Sequence, residues 1–343
     1  MSEKLFSEFP YTTSKQWLAQ ITKDLKGRSP AEMQWSPDGD LVVHPYVHGD
    51  DVPEAMPEVP SFGKWQIGES FIVIDEKESN RQILEALRGG AESLHTSCTD
   101  TVKWEQLFAD VELPFIHIGL HIKGDADQSL HDLMLFADNR WKFDELRITL
   151  YFRTAVGYPN VRFSSLPIVT ERVVDGVAST LFDALDSASW DRDQLKQRDL
   201  AVSMSMHYLI EIARLRALRI LWTNLVSALQ FPISPVFAIE AHTKECSSQD
   251  DPYTHMIRST VMGVAAVLGG ADRVYIHPSV GMNHTESFYR HIARNIHHLL
   301  RYESKFSEIS DPVSGAYYID KLTREIVDRV WERLLQRMKE SGR

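Results

Sequence analysis

From Trp65 onward, short apolar runs alternate with longer stretches of helical period. "ESFIVID" (69–75) reads as a strand, and "EKESNRQILEALRGG" (76–90) as a helix that ends in glycine. The same pairing recurs in "AESLHTSC" with "TVKWEQLFAD", and in "PFIHIGLHI" with a helix over 129–140. "ELRITLYF" gives a fourth strand and "VRFSSL" a fifth, followed by a helix over 169–187. Residues 200–229 read as one long helix, so no sixth strand is legible before "PVFAIEAHT". "PYTHMIRSTVMGVAAVLGG" is a helix, "RVYIHP" the last strand and "HTESFYRHIARNIHHLLRYES" the last helix of the series. Strands separated by helices imply parallel pairing. About eight such units over roughly 245 residues predict an α/β fold of the TIM-type (β/α)8 class. An open doubly wound sheet is the runner-up, but no G-x-G-x-x-G follows the first strand.

The ends of the chain follow a different pattern. Thr13 and Gln16 have capping-box spacing, and Trp17, Leu18, Ile21 and Leu25 follow at helical spacing up to Gly27. Four prolines between Pro45 and Pro60 then interrupt any regular element. Residues 1–60 are therefore expected to be an arm and linker whose apolar helix packs on its own domain or on another subunit. Subunit contact is the sharper reading. Residues 61–310 are expected to form the barrel, and 311–343 a C-terminal helical extension. After the turn at Asp311, Pro312 and Gly315, Leu322, Ile326, Val330 and Leu334 recur every four residues.

Composition narrows the function. The 343 residues are 43% hydrophobic, enough for a large core, and the net charge is -11. Nonspecific nucleic-acid binding needs a basic footprint, so that class is disfavoured. Two cysteines, Cys98 and Cys246, give no disulfide framework and point to a reduced cytoplasm. The opening "MSEKLFSEFP" is not read as a signal peptide, and no apolar run approaches a membrane span.

Candidate chemistry is sparse. His95, His117, His121, His242 and His277 fall near strands, as in metal-dependent barrel hydrolases. His117 and His121 share a strand face but lie about 13 Å apart along it, too far to hold one ion. No metal site is expected. His291, His297 and His298, beside Arg290, Arg294 and Arg301, read as a solvated helix face. "HIKGDADQS" lacks the glutamate-ended spacing of a calcium loop. Cys246 has only His242 nearby, which is weak support for a nucleophile.

Three stretches carry a family resemblance. "EIARLRALRILW" (211–222) resembles the long barrel helix of the methylmalonyl-CoA mutase family. "DPYTHMIRSTVMGVAAVLGGADRV" (251–274) resembles its D-P-Y-N-N-V-x-R-T-x-x-E-x-x-A-A-V-L-G-G. "IARN" (292–295) with "DPVSGAYYIDKLT" (311–323) resembles its I-A-R-N and D-P-x-x-G-S-Y-Y-V-E-x-L-T. Order and spacing agree across the C-terminal half. The opening, with "WLAQITKDLKG" and "VVHPYVHGDDV", is similar to small (beta) subunits of bacterial mutases, while likeness over 65–160 is weak.

The resemblance implies a barrel whose axis admits a CoA thioester, with a separate cobalamin-binding domain. Catalytic subunits of that family carry a G-Y-H-M-Q turn after the fifth strand. Here "SSLPIVTE" (164–171) places Leu166, Pro167 and Ile168 at its Gly, Tyr and His. The T-H-x-Q-T-S-G loop becomes "AHTKECSSQD": His242 is kept and Lys244 replaces the glutamine. Tyr275 stands where the family has a histidine. The cobalamin signature D-x-H-x-x-G is not found. The expected function is therefore a non-catalytic small subunit in a heterodimer with a large catalytic subunit that carries adenosylcobalamin. No catalytic, cofactor or metal residue is expected in this chain. The alternatives are an active acyl-CoA mutase barrel with its cobalamin domain on another chain, and a metal-dependent barrel hydrolase.

Overall fold

A computed structural model describes residues 10–37, 39–52, 64–151, 161–164, 172–187, 195, 198–229, 237–247, 249–281 and 285–342. The first helix, α1 (Ser14–Asp24), is closed at its start by the Thr13–Gln16 capping box that the spacing predicts. Eight strands follow: β1 (Gln66–Ile72), β2 (Ser93–Thr99), β3 (His117–Lys123), β4 (Arg147–Leu150), β5 (Val161–Phe163), β6 (Leu200–Ser203), β7 (Ile239–His242) and β8 (Arg273–Tyr275). The helices between them are α2 (Glu76–Arg88), α3 (Trp104–Leu107), α4 (Ala126–Asp138), α5 (Val173–Ser187), α6 (Tyr208–Ala228), α7 (Pro252–Gly269) and α8 (Glu286–His298), and α9 (Tyr317–Glu340) ends the series.

The strands lie in the order β5-β4-β3-β2-β1-β8-β7-β6, and all neighbouring pairs are parallel. The two ends of that order meet. Phe163 bridges Arg198 in the parallel sense, and the Asp199 N–H donates to the Phe163 carbonyl at 2.8 Å. The fold is a TIM-type (β/α)8 barrel. Helix starts are fixed by side chains that satisfy otherwise orphaned N–H groups. Asp75 accepts from Glu78 N at 2.8 Å, Asp125 from Gln128 N at 3.0 Å, and Asp251 from Thr254 N at 2.7 Å.

Two expectations need correction. The sixth strand exists: "LAVS" (200–203) pairs with β7, and the helix begins only at Tyr208. A buried parallel strand is apolar on both faces, so its run merged with the apolar helix that follows. The basic face of α8 is not solvated. Arg294, His297 and Arg301 are buried. Arg294 pairs with Glu69 of β1 at 2.5 Å, Arg301 with Glu92 at 2.9 Å, and His297 Nδ1 accepts from the Trp65 indole at 3.2 Å. Glu69 points outward from its strand and is itself buried, so charge pairing is added to the apolar contacts that Ala293 and Ile296 make.

Apolar side chains between strands and helices form two clusters. One joins β1–β5 to α2, α3 and α4. The other joins β6–β8 to α5, α6, α7 and α9, where Leu322, Ile326, Val330 and Leu334 are all buried as their spacing predicts. Leu41 and Val43, from the chain ahead of the barrel, belong to that second cluster. Helix α1, in contrast, buries none of its residues. Deleting residues 10–27 is expected to change stability little. Extending the deletion to 44 should cost about 3–6 kcal/mol more, because each buried aliphatic side chain contributes about 1.5–3 kcal/mol. Urea unfolding of the two truncations checks this, and equal losses would contradict it.

Candidate functional site

Side chains alternate in and out along each strand. The inward set is polar almost throughout: Ser93, His95, His117, Thr149, Glu240 and Arg273 are among them. Gly68 and Gly119 belong to the same inward set. A Cβ on Gly68 would lie 2.4 Å from the Tyr275 ring, and one on Gly119 would lie 2.8 Å from the Tyr151 ring. Missing side chains on β1 and β3 thus make room for two tyrosines across the axis.

One hydrogen-bonded chain crosses the barrel. Tyr275 Oη meets Ser93 Oγ at 2.7 Å, Ser93 Oγ meets His117 Nδ1 at 2.8 Å, and His117 Nε2 meets Thr149 Oγ1 at 2.9 Å. Thr149 donates to Asp199 Oδ2 at 3.1 Å. A carboxylate only accepts, so every donor in the chain has a defined direction. Thr149 spends its proton on Asp199, so His117 donates through Nε2. His117 Nδ1 then accepts from Ser93, and Ser93 accepts from Tyr275. His117 is held neutral, in agreement with burial, which pushes its pKa well below 6.5.

Charges balance in the same space. Arg162 Nε donates to Asp199 at 2.6 Å, and Arg273 Nε donates to Glu240 at 2.7 Å. Arg273 also bonds Asp199, and the Tyr151 hydroxyl donates to Glu240. Burial alone would raise the Glu240 pKa, but the adjacent Arg273 holds it far below the usual carboxylate range. Desolvation and Glu240 push both tyrosine hydroxyls upward, so they stay protonated.

Toward the carboxyl ends of the strands, rings close the axis. His95 lies flat on Tyr151 with centroids 4.3 Å apart, and His242 lies flat on Tyr275, also at 4.3 Å. The edge of His95 meets His242 at 5.2 Å, and His277 follows at 5.8 Å. Burial and mutual repulsion depress His95 and His277 to about 3.

His117, Asp199 and Glu240 place ligand atoms within 4.8 Å of one another, the spacing of a metal site. The donor set does not fit an ion. Both His117 nitrogens are already bonded, and the Arg273 guanidinium is the cation between the two carboxylates. This grouping was not among the sequence candidates, which paired His117 with His121. His121 is only half-buried and contacts Ser97 Oγ at 3.4 Å.

Of the positions matched to the family pattern, the retained His242 and the altered Tyr275 face each other inside the barrel. Lys244 is exposed on the loop after β7. Pro167 and Ile168 lie outside the described residues. His242 is engaged by Tyr275, and the Cys246 thiol donates to the Ser247 carbonyl at 3.6 Å. Glu240, Arg273, Asp199, Arg162 and Tyr151 went unnoticed in the sequence. The available signal was a charged residue two positions from an inward ring, as in "EAH" (240–242) and "RVY" (273–275).

Fold and site define a (β/α)8 barrel whose axis is occupied by its own paired polar side chains. Residues 182–343 match the family model described as methylmalonyl-CoA mutase. The small subunit of methylmalonyl-CoA mutase from Porphyromonas gingivalis is 25% identical, over 97% of this chain and 64% of that protein. The small subunit from Streptomyces virginiae is 23% identical, over 96% of this chain and 64% of that protein. A probable small subunit from Mycobacterium tuberculosis is 32% identical, over 41% of this chain and 24% of that protein. The chain is thus similar to the methylmalonyl-CoA mutase family over residues 182–343, and to small subunits of that mutase along nearly its whole length. It spans less than two-thirds of the length of these curated relatives.

Proposed function

We propose that this chain is a non-catalytic small subunit of an adenosylcobalamin-dependent methylmalonyl-CoA mutase. It supports a large subunit that interconverts methylmalonyl-CoA and succinyl-CoA in the cytoplasm. The observation that carries this reading is the occupied axis. Tyr151, Tyr275, His95 and His242 stand where a thioester would thread, and the ions beneath them are mutually paired. The mouth does not fit adenosylcobalamin, because the ring nitrogens His95 Nδ1 and His242 Nε2 are buried and reach no group outside the barrel. Helix α1 supports the subunit reading: Tyr11 and Leu18 are exposed, and Trp17 rests on Tyr46 at 4.6 Å without being buried. No helix among the described residues is long and apolar enough to cross a membrane.

Co-purification from the native cell tests the partnership, with a cobalamin-bearing mutase subunit expected in stoichiometric amount. The purified chain with adenosylcobalamin and methylmalonyl-CoA should show no turnover. Turnover by the chain alone would favour an active barrel.

A further inference from the structure

A cavity of about 680 Å³ lies outside the axis, at the carboxyl ends of β6 and β7 beside the starts of α6 and α7. That volume suits a small organic ligand, and strand carboxyl ends are where such barrels bind one. Met204, Met206 and Met262 form its apolar wall. Two of these are buried and so belong to the packed body, while Met206 is partly exposed. Thioether side chains adapt to apolar shapes without demanding one geometry.

Lys244 and Arg258 also line this cavity. Both are exposed, and among the described residues neither lies within ion-pair distance of a carboxylate. Six buried arginines, Arg214, Arg216, Arg219, Arg273, Arg294 and Arg301, all sit in ion pairs and are spoken for. In a chain of net charge -11, this cavity carries as many cations as acids, Lys244 and Arg258 beside Glu245 and Asp250. Two acids share the lining. Asp250 accepts from the Ser247 backbone and hydroxyl, both at 2.9 Å, so it is engaged in shaping its loop, and Glu245 is exposed.

The cationic side is built on a fixed support. His255 is buried on α7, with Nε2 at 3.0 Å from the Lys244 carbonyl and Nδ1 at 3.1 Å from Ser279 Oγ. Arg258 follows one helical turn later, so helix and loop present their charges from one anchored point.

We propose that this cavity binds a small organic anion with an apolar body. The anionic group meets Lys244 and Arg258, and the body lies against the three methionines. Calorimetric titration of the purified chain with octanoate, octanol and inorganic phosphate tests it. Octanoate is expected to saturate a single site, with octanol and phosphate each about tenfold weaker or more. Lys244→Gln with Arg258→Gln should weaken octanoate about tenfold and leave octanol unchanged. Met206→Asp should weaken octanoate and octanol together. All three positions have exposed side chains, so the variants should fold. Absence of saturation by octanoate, or equal octanoate affinity in the charge variant, overturns the proposal.

Discussion

Arg273→Met is expected to be the most damaging single substitution in this chain. Arg273 is the cation that Asp199 and Glu240 share inside the barrel. Removing it leaves two buried carboxylates facing each other, and breaking a buried pair from one side costs about 3–5 kcal/mol. Arg162 still holds Asp199 from its other oxygen, so the damage falls mainly on Glu240. Glu240 has a second recourse, since it can take up a proton and keep the Tyr151 contact. The stability gap between variant and parent should therefore narrow as pH falls toward 5. Urea unfolding at pH 7.5 and pH 5.5 measures both effects. A loss below about 1 kcal/mol at pH 7.5 would mean that water reaches these carboxylates and that the axis is open.

The second large effect is acid sensitivity. Burial depresses His95, His277 and His297 to about 3, and His117 is also pushed well below 6.5. Such a group binds its proton only in the unfolded chain between those two values. The unfolded state then holds more protons, and stability rises with pH. The contribution is complete above about 6.5 and is lost as pH falls through the window down to about 3. Each fully engaged histidine gives a slope of about 1.4 kcal/mol per pH unit, so four give at most about 5.5. Glu240, held low by Arg273, adds loss in the same direction once pH passes below the ordinary carboxylate range. Unfolding free energies at half-unit steps from pH 7.5 to 5 should show this slope. His95→Phe keeps the stack on Tyr151 and removes one titrating ring, so its slope should be smaller by about one proton. A flat profile in the parent would show that these rings are hydrated.

The barrel was legible because its cues are local. Apolar runs of strand length, the glycines that end the helix over 76–90, and the four-residue recurrence in α9 each act within a few residues. The missed strand at Leu200 had no polar alternation to separate it from α6. The interior site was illegible for a different reason. Its members come from β2, β3, β4, β5, β7, β8 and the entry to β6, and no spacing along the chain links Ser93 to Tyr275 or Tyr151 to Glu240. Histidine count suggested metal chemistry, yet the ring nitrogens of His117 are used by hydroxyl groups. The basic residues of α8 misled because their partners, Glu69 and Glu92, lie more than 200 positions earlier. Charge on a helix face gives exposure only when no opposite charge awaits it.

The junction of β5 with β6 makes this barrel a split ring with a clasp. Elsewhere around the circle several residues of each strand are laddered to the next, as in the seven paired positions of β2 with β3. Among the described residues, the junction is joined by a bridge at Phe163, a backbone bond to Asp199 and the Arg162 guanidinium, which reaches both the Asp199 carboxylate and the Arg198 carbonyl. A ring parts at its weakest link, and a parted β-ring is a curled sheet with two bare edges. Unpaired strand edges recruit strands from other molecules. Were that clasp to open, β5 and β6 would be offered to other molecules as sticky hems.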